Sequence, residues 1–225
     1  MNHSKKETLV LCDFDGTASS IDVGYQLLRY FSRDEWENID RKYRTDRMGS
    51  MEAYGLIAAA IHSSEEDFLA YLPQLTRLDP GFVEFKNYCH GRDFDMKIVS
   101  DGLDFYIKNI LAHYGIDDIP FYSNRLIFNN GSGIRIDFPL QNPDCRKCGT
   151  CKKKLLEQFR DDYKTIIYIG DGYSDRCAAE SADFVFAKRF LYQHCQEKGI
   201  PCTLYAGFEE ILNHLRNKEG NIQTK

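Results

Sequence analysis

The run Leu9-Val10-Leu11-Cys12-Asp13-Phe14-Asp15-Gly16-Thr17 sets two carboxylates, two residues apart, at the end of an apolar stretch. An apolar run that stops at Gly and Thr predicts a buried strand opening into a loop. Both acids then emerge at its carboxyl end, where open α/β sheets bind their ligands. Two like charges this close repel unless a cation shares them, and hard oxygen ligands suit Mg²⁺. The pair therefore implies a metal ion and a phosphate. Ionised Asp13 can attack phosphorus in line and form an aspartyl phosphate that water then cleaves. Asp15 can protonate the leaving oxygen and deprotonate that water, given a carboxyl pKa raised toward neutrality. The plain alternative is a strand followed by an ordinary Asp-Gly turn.

Two more strand ends carry polar groups of the same kind. Ser100, Asp101 and Gly102 follow a short apolar strand at 96–99; Asp171 and Asp175 follow a stronger one at 165–169, within Gly170-Asp171-Gly172-Tyr173-Ser174-Asp175. The Ser100 hydroxyl and the backbone N–H groups of Asp101 and Gly102 can hold phosphoryl oxygens at the start of the next helix, unless Ser100 is only that helix's cap. A cation is needed over the transferring phosphoryl group, and Lys152, Lys153 and Lys154 stand in a row of which one can point inward. In a parallel sheet these ends share one edge, so residues far apart in sequence can meet there.

The elements that must position them follow from apolar periodicity. Helical spacing runs from Tyr25 through Leu75 with no strand-like alternation before Asp95, which predicts an all-helical insertion at 21–85 between the first two strands. The remainder, 1–20 and 86–225, alternates strands and helices and predicts a doubly wound, Rossmann-like parallel sheet. Within it, segments 120–122 and 126–128 read as strands, and the turn-rich stretch 129–133 before a strand at 134–138 predicts a β-hairpin. Helices are expected at 153–159, 174–181, near 190–195 and at 208–215, with strands at 184–186 and 202–204 and a frayed tail from Lys218.

Composition narrows the classes. A net charge of −5 without a long basic run argues against nucleic-acid binding, and no apolar stretch is long enough to span a bilayer. The polar start, Met1 to Glu7, leads straight into the first strand and leaves no room for a secretory signal, which predicts the cytoplasm. The expected partner is a small phosphorylated metabolite, and a monomer or homodimer is expected without any residue that decides between them. Eight cysteines are many for such a chain. Five sit in apolar or helical contexts where a buried thiol is the default. Cys145, Cys148 and Cys151 are spaced to chelate zinc if a fourth ligand came from His194 or Cys195, and otherwise form a reduced loop beside the lysines.

The set Asp13 to Thr17, Ser100, a lysine early in a helix, and Gly170-Asp171-Gly172 with Asp175 resembles the motifs of the haloacid dehalogenase superfamily of phosphotransferases. That resemblance implies a HAD-like core with the helical insertion as a cap closing over the sheet edge. It also implies that Lys152, ahead of Leu155 and Leu156, is the motif lysine, and that Mg²⁺ is held by Asp13, Asp171 and the Asp15 carbonyl with Asp175 in support. Within the superfamily, Ser100-Asp101-Gly102-Leu103-Asp104-Phe105 and Cys148-Gly149-Thr150-Cys151-Lys152 look like the methionine-salvage phosphatases of 2-hydroxy-3-keto-5-methylthiopentenyl phosphate. Asp22, nine residues after the nucleophile, instead matches the amine-contacting acid of phosphoserine phosphatases. Tyr25, Arg44, Arg47 and Met48 are candidate substrate contacts from the cap. A phosphate-ligand sensor that has lost turnover is the non-enzymatic alternative.

Overall fold

The computed structural model describes residues 5–32, 36–45, 47–129, 133–145 and 147–222, with side chains except at 44 and 218–222. A seven-stranded sheet runs in the order β4-β3-β2-β1-β5-β6-β7. Its strands are β1 (Lys6–Cys12), β2 (Asp95–Leu103), β3 (Phe121–Phe128), β4 (Ile134–Asp137), β5 (Tyr163–Gly170), β6 (Phe184–Ala187) and β7 (Thr203–Leu204). All neighbours are parallel except the β3–β4 hairpin; three of its turn residues, 130–132, lie outside the described residues.

β1 sits at the centre because it can be buried on both faces. Leu9 and Leu11 enter one hydrophobic core and Val10 and Cys12 the other, all without solvent exposure, as the two-residue period of a strand requires. Helices α5 (Phe82–Gly91), α6 (Asp104–His113) and α10 (Phe208–Ile222) contribute Phe85, Ile107, Ile110, Phe208 and Ile211 to one core; α7 (Lys152–Phe159), α8 (Arg176–Ala179) and α9 (Arg189–Lys198) contribute Leu155, Leu156, Ala179, Leu191 and Cys195 to the other. The fold is therefore the doubly wound α/β class.

Between β1 and β2 come α1 (Val23–Ser32), α2 (Trp36–Arg44), α3 (Ser50–Ala60) and α4 (Glu65–Tyr71) ahead of α5. A capping box starts α4: Ser64 Oγ accepts from Asp67 N–H at 3.2 Å while Asp67 Oδ2 accepts from Ser64 N–H at 2.8 Å. The insertion continues the core on the α5/α6 side of the sheet. Phe68 stacks on Phe31 at 4.1 Å and meets Phe128 edge-on at 5.2 Å.

Several local expectations change. Strand β2 runs on to Leu103, past the end expected at Val99, and the helix expected at 174–181 is a 3-10 turn, Tyr173–Asp175, followed by the short α8. The two strand-like pieces at 120–122 and 126–128 are one strand, β3, because polar Asn124 in its middle is fully buried and hydrogen-bonded. Helix α7 begins at Lys152, one residue earlier than its apolar pattern suggests. Helix α10 continues to Ile222, beyond the start of the anticipated tail.

Candidate active site

Strand order brings the acids together. β1 lies between β2 and β5, and Cys12 is level with both Ile98 and Ile169, so Asp13 and Gly170 leave the sheet side by side. The Asp13 N–H donates to the Ile169 carbonyl at 2.9 Å, which extends the ladder one residue past the strand. Among the described residues, one set of three metal-competent side chains converges: Asp13, Asp171 and Asp175, all buried, with ligand atoms within 4.8 Å of one another.

Lys152 is the hub of this set. Its Nζ, almost completely enclosed, donates to Asp13 Oδ1 and Asp175 Oδ1, each at 2.6 Å. Lys153 points outward toward Glu157 instead. Asp175 Oδ1 also accepts from the Tyr168 hydroxyl at 2.6 Å, and Oδ2 accepts the N–H groups of Asp171 and Gly172 at 3.0 and 2.8 Å. With four donors on it, Asp175 holds the lysine and the backbone of the β5 turn in place. On Asp171, Oδ1 accepts from the Thr17 hydroxyl at 3.2 Å and Oδ2 from Arg189 Nη1 at 2.9 Å. Burial, with the charges of Asp175 and Asp171, pushes the Asp13 carboxyl well above its usual range despite the opposing pull of Lys152. Burial and the Asp175 charge raise Asp171 to about 6. The site is thus short of positive charge, and a dense, buried, all-oxygen donor set fits a hard divalent cation.

Asp15 turns away from this cluster. Its Oδ1 accepts from the N–H groups of Val23 and Gly24 at 2.8 and 3.1 Å, at the start of α1, and its Oδ2 accepts from the Tyr106 hydroxyl. Its side chain therefore stands outside the acidic set, leaving its carbonyl as the group that could reach a metal. Burial, followed by the nearby Asp22 charge, lifts its carboxyl to about 7. Gly16 makes the divergence of the two acids geometrically feasible: its φ of 70° lies in the left-handed region, and a Cβ there would run into the Asp171 carboxylate. Gly102 is equally constrained, since a Cβ would strike the Tyr106 hydroxyl and the Asp15 carboxylate.

The second strand end forms a bulge. Five residues of β2, Val99 to Leu103, stand against three of β3, Tyr122 to Asn124, and the Ser100 hydroxyl accepts from Gly102 N–H at 3.0 Å across the bulge. Helix α6 starts only at Asp104, after Leu103, so Ser100 is not its cap. The Asp101 carboxylate accepts from Thr150 N–H at 2.8 Å and from the Asn124 amide at 3.1 Å, which ties the β2 end to the segment leading into Lys152. What Asp101 could offer a phosphate is therefore its backbone.

A cavity of about 610 Å³ opens over this edge, lined at its base by Asp13, Asp15, Ser100, Gly102, Asp171 and Arg189 and above by residues of α1–α3. Asp22 and Tyr25 line it as expected, with Asp22 Oδ1 accepting from Tyr25 N–H at 2.7 Å. Met48 does not: it is buried in the core, because an apolar side chain on a helix junction packs inward. Arg47 is exposed and outside the cavity, as a solvated guanidinium prefers. The side chain of Arg44 lies outside the described residues. The cysteine loop makes no metal set among the described residues: Cys145 is exposed, Cys151 is buried at the start of α7, and Arg146 is not described.

Sequence reasoning missed Tyr106, Arg189 and the apolar upper wall of Leu28, Trp36, Ile39, Ala53 and Ile57. Tyr106 sits in the first turn of α6 and reaches Asp15 across the sheet edge, a meeting that nothing local marks; the same is true of Arg189.

Fold and site together define a hydrolase of the α/β class that works on phosphoric monoesters at a sheet edge. The chain belongs to the haloacid dehalogenase-like hydrolases, whose family model matches residues 10–180. It is 32% identical, over 95% of its length and 98% of the relative, to a 2-hydroxy-3-keto-5-methylthiopentenyl-1-phosphate phosphatase from Geobacillus kaustophilus. Against the protein of the same name from Brevibacillus brevis it is 29% identical over 96% of this chain and 99% of the relative. Among solved structures, it resembles a phospho-aspartyl intermediate analogue of phosphoserine phosphatase with a TM-score of 0.72 and 18% identity, covering 94% of this chain and 99% of that one. A phosphoserine phosphatase from T. onnurineus aligns with a TM-score of 0.69 at 21% identity, over 95% and 96% of the two chains. These structural likenesses establish the shared fold.

Proposed function

We propose that this enzyme is a Mg²⁺-dependent phosphatase that works through an aspartyl phosphate on Asp13 and takes 2-hydroxy-3-keto-5-methylthiopentenyl-1-phosphate as its substrate. The observation that carries the chemistry is the placement of Lys152: it engages Oδ1 of Asp13, a residue that lines the cavity, and leaves Oδ2 as the oxygen free to attack. Asp13, Asp171 and the Asp15 carbonyl would hold the metal, which supplies charge compensation between the phosphate ester and the carboxylates. Ser100 and the Asp101 N–H hold phosphoryl oxygens, and the Gly102 N–H, which donates to the Ser100 hydroxyl, fixes that hydroxyl in place. Asp15, fixed by Val23, Gly24 and Tyr106, gives its proton to the leaving oxygen and later takes one from water. Residues 21–85 act as the cap, and we read 1–20 with 86–225 as the catalytic core. The enzyme is expected to be cytoplasmic, as a monomer or homodimer; among the described residues, no helix is long and apolar enough to cross a membrane.

The upper wall supports the substrate. Leu28, Trp36, Ile39, Ala53 and Ile57 suit a neutral thioether tail, which gains from leaving water. Phosphoserine would need a cation for its carboxylate. Among the described lining residues the one cation is Arg189, already bound to Asp171. Asp22 on the same wall is the feature that favours an amine. Phosphate release should be measured from both compounds, with Mg²⁺ and with chelator. A kcat/KM about 100-fold higher for the methylthio compound is expected. Equal or faster turnover of phosphoserine would refute the substrate, and metal-independent turnover would refute the cofactor.

Asp15 also sets a pH dependence. The first step needs its protonated form, so phosphorylation of Asp13 should slow as pH rises through about 7. The Tyr106 hydroxyl hydrogen-bonds the ionised carboxylate and pulls its pKa down. In Tyr106→Phe that alkaline limb should therefore move to higher pH, as measured by the pH profile of pre-steady-state phosphoenzyme formation; a limb that stays put would dissociate it from Asp15.

A further inference from the structure

Two cations partly offset the charge of the acidic cluster, and they are held in opposite ways. Lys152 is enclosed between Asp13 and Asp175, whereas the Arg189 side chain is 56% exposed and reaches Asp171 from the cavity wall. We propose that Arg189 is a positioning residue that occupies Asp171 in the metal-free protein and has to yield that carboxylate to the incoming divalent ion. The inference rests on the reading of Asp13 and Asp171 as metal ligands.

Three features point to it. Arg189 Nη1 sits 2.9 Å from Asp171 Oδ2 while the Thr17 hydroxyl donates to Oδ1 at 3.2 Å, so each oxygen carries one donor and a metal that takes Oδ2 competes with the charged one. The backbone at Arg189, the first residue of α9, has a φ of 50°, a left-handed conformation that disfavours a bulky side chain and here aims the guanidinium back across the site. The guanidinium also needs the space beside Gly16, since a Cβ at that glycine would lie 2.8 Å from Nη1. An exposed side chain can swing off Asp171 into water without burying its charge, so the exchange is feasible in a way that displacing Lys152 is not. Because ion and guanidinium bind one carboxylate oxygen, linkage requires each to weaken the other. The acidic cluster is thereby kept compensated when no metal is bound, and the affinity for metal is set lower than the carboxylates alone would give.

The test is direct metal binding, read by Mn²⁺ electron paramagnetic resonance on the purified protein without substrate. Arg189→Gln should bind Mn²⁺ about 2- to 5-fold more tightly than the parent, the range expected for losing one partly exposed ion pair. Arg189→Gly, which relaxes the left-handed backbone, should show the same gain and covers the case in which the glutamine variant folds poorly. Arg160→Gln, remote from the site, serves as the control and should leave the affinity unaltered. Circular dichroism establishes that each variant is folded. Tight binding in the parent with unchanged or weaker binding in folded Arg189 variants overturns the inference alone. Failure of the parent to bind Mn²⁺ overturns both it and the metal-dependent function.

Discussion

Asp13→Asn should lower phosphate release by about 10⁴-fold or more, a loss on the scale seen when a covalent nucleophile is removed. An amide at this position keeps the shape of the side chain and can still accept a hydrogen bond from Lys152, but it cannot form the acyl phosphate. The fold should persist. In the parent, Asp13 is pushed up by burial and by the charges of Asp175 and Asp171, so replacing it removes a repulsive member of the cluster. Melting without metal should therefore occur at an equal or higher temperature than in the parent. Phosphate assays and mass spectrometry for a phosphorylated protein separate the outcomes: residual turnover near parental levels would remove Asp13 from the nucleophile's role, and a parent that binds phosphate esters without turning them over would point to a sensor.

The second large effect is on stability. Lys152→Met should cost about 3–5 kcal/mol, because it strands buried Asp13 and Asp175 without their shared cation. The sign of the pH dependence follows from linkage. Removing the lysine takes away a pull that lowers the Asp13 pKa, so the folded value rises still further above that of the unfolded chain. A carboxyl raised in this way binds more protons folded than unfolded, and stability falls as pH rises through the interval between the two values. The variant should therefore regain stability on acidification from pH 7 toward pH 5, as followed by thermal or urea melts at a series of pH values. A Lys152→Met protein as stable as the parent at pH 7 would show that another group compensates the two acids. Phosphatase activity should fall as well, since Lys152 also holds Oδ1 of Asp13 in place.

Much of the site was legible because its residues sit at the ends of strands. In Leu9 to Cys12 and in Thr165 to Ile169 the apolar run is continuous, and a continuous run that stops at glycine marks both a central strand and the point where its loop opens. The helical insertion was legible for the same reason, as its apolar period is helical. Substrate-wall residues were harder. Tyr25 and Asp22 line the cavity, but Arg47 and Met48 do not, since they sit in the connection between α2 and α3, where no periodicity discloses which way a side chain faces. The middle of β3 hid itself because Asn124 is a buried polar side chain, satisfied by Asp101 from a strand 23 residues away.

By itself the sequence determined the chemistry on offer: two acids after a first strand, a serine after a second, two more acids after another, and a row of three lysines beside a helix, all set by local patterning within about ten residues. Only the tertiary structure decided how they are used. The order β2-β1-β5 sets Asp13 beside Asp171, and packing turns Asp15 toward Tyr106 and α1. It also brings Arg189, 18 residues beyond, onto Asp171. Such meetings depend on which strands are neighbours and which way a loop leaves the sheet, and that is fixed by burying two cores at once rather than by any short stretch of chain.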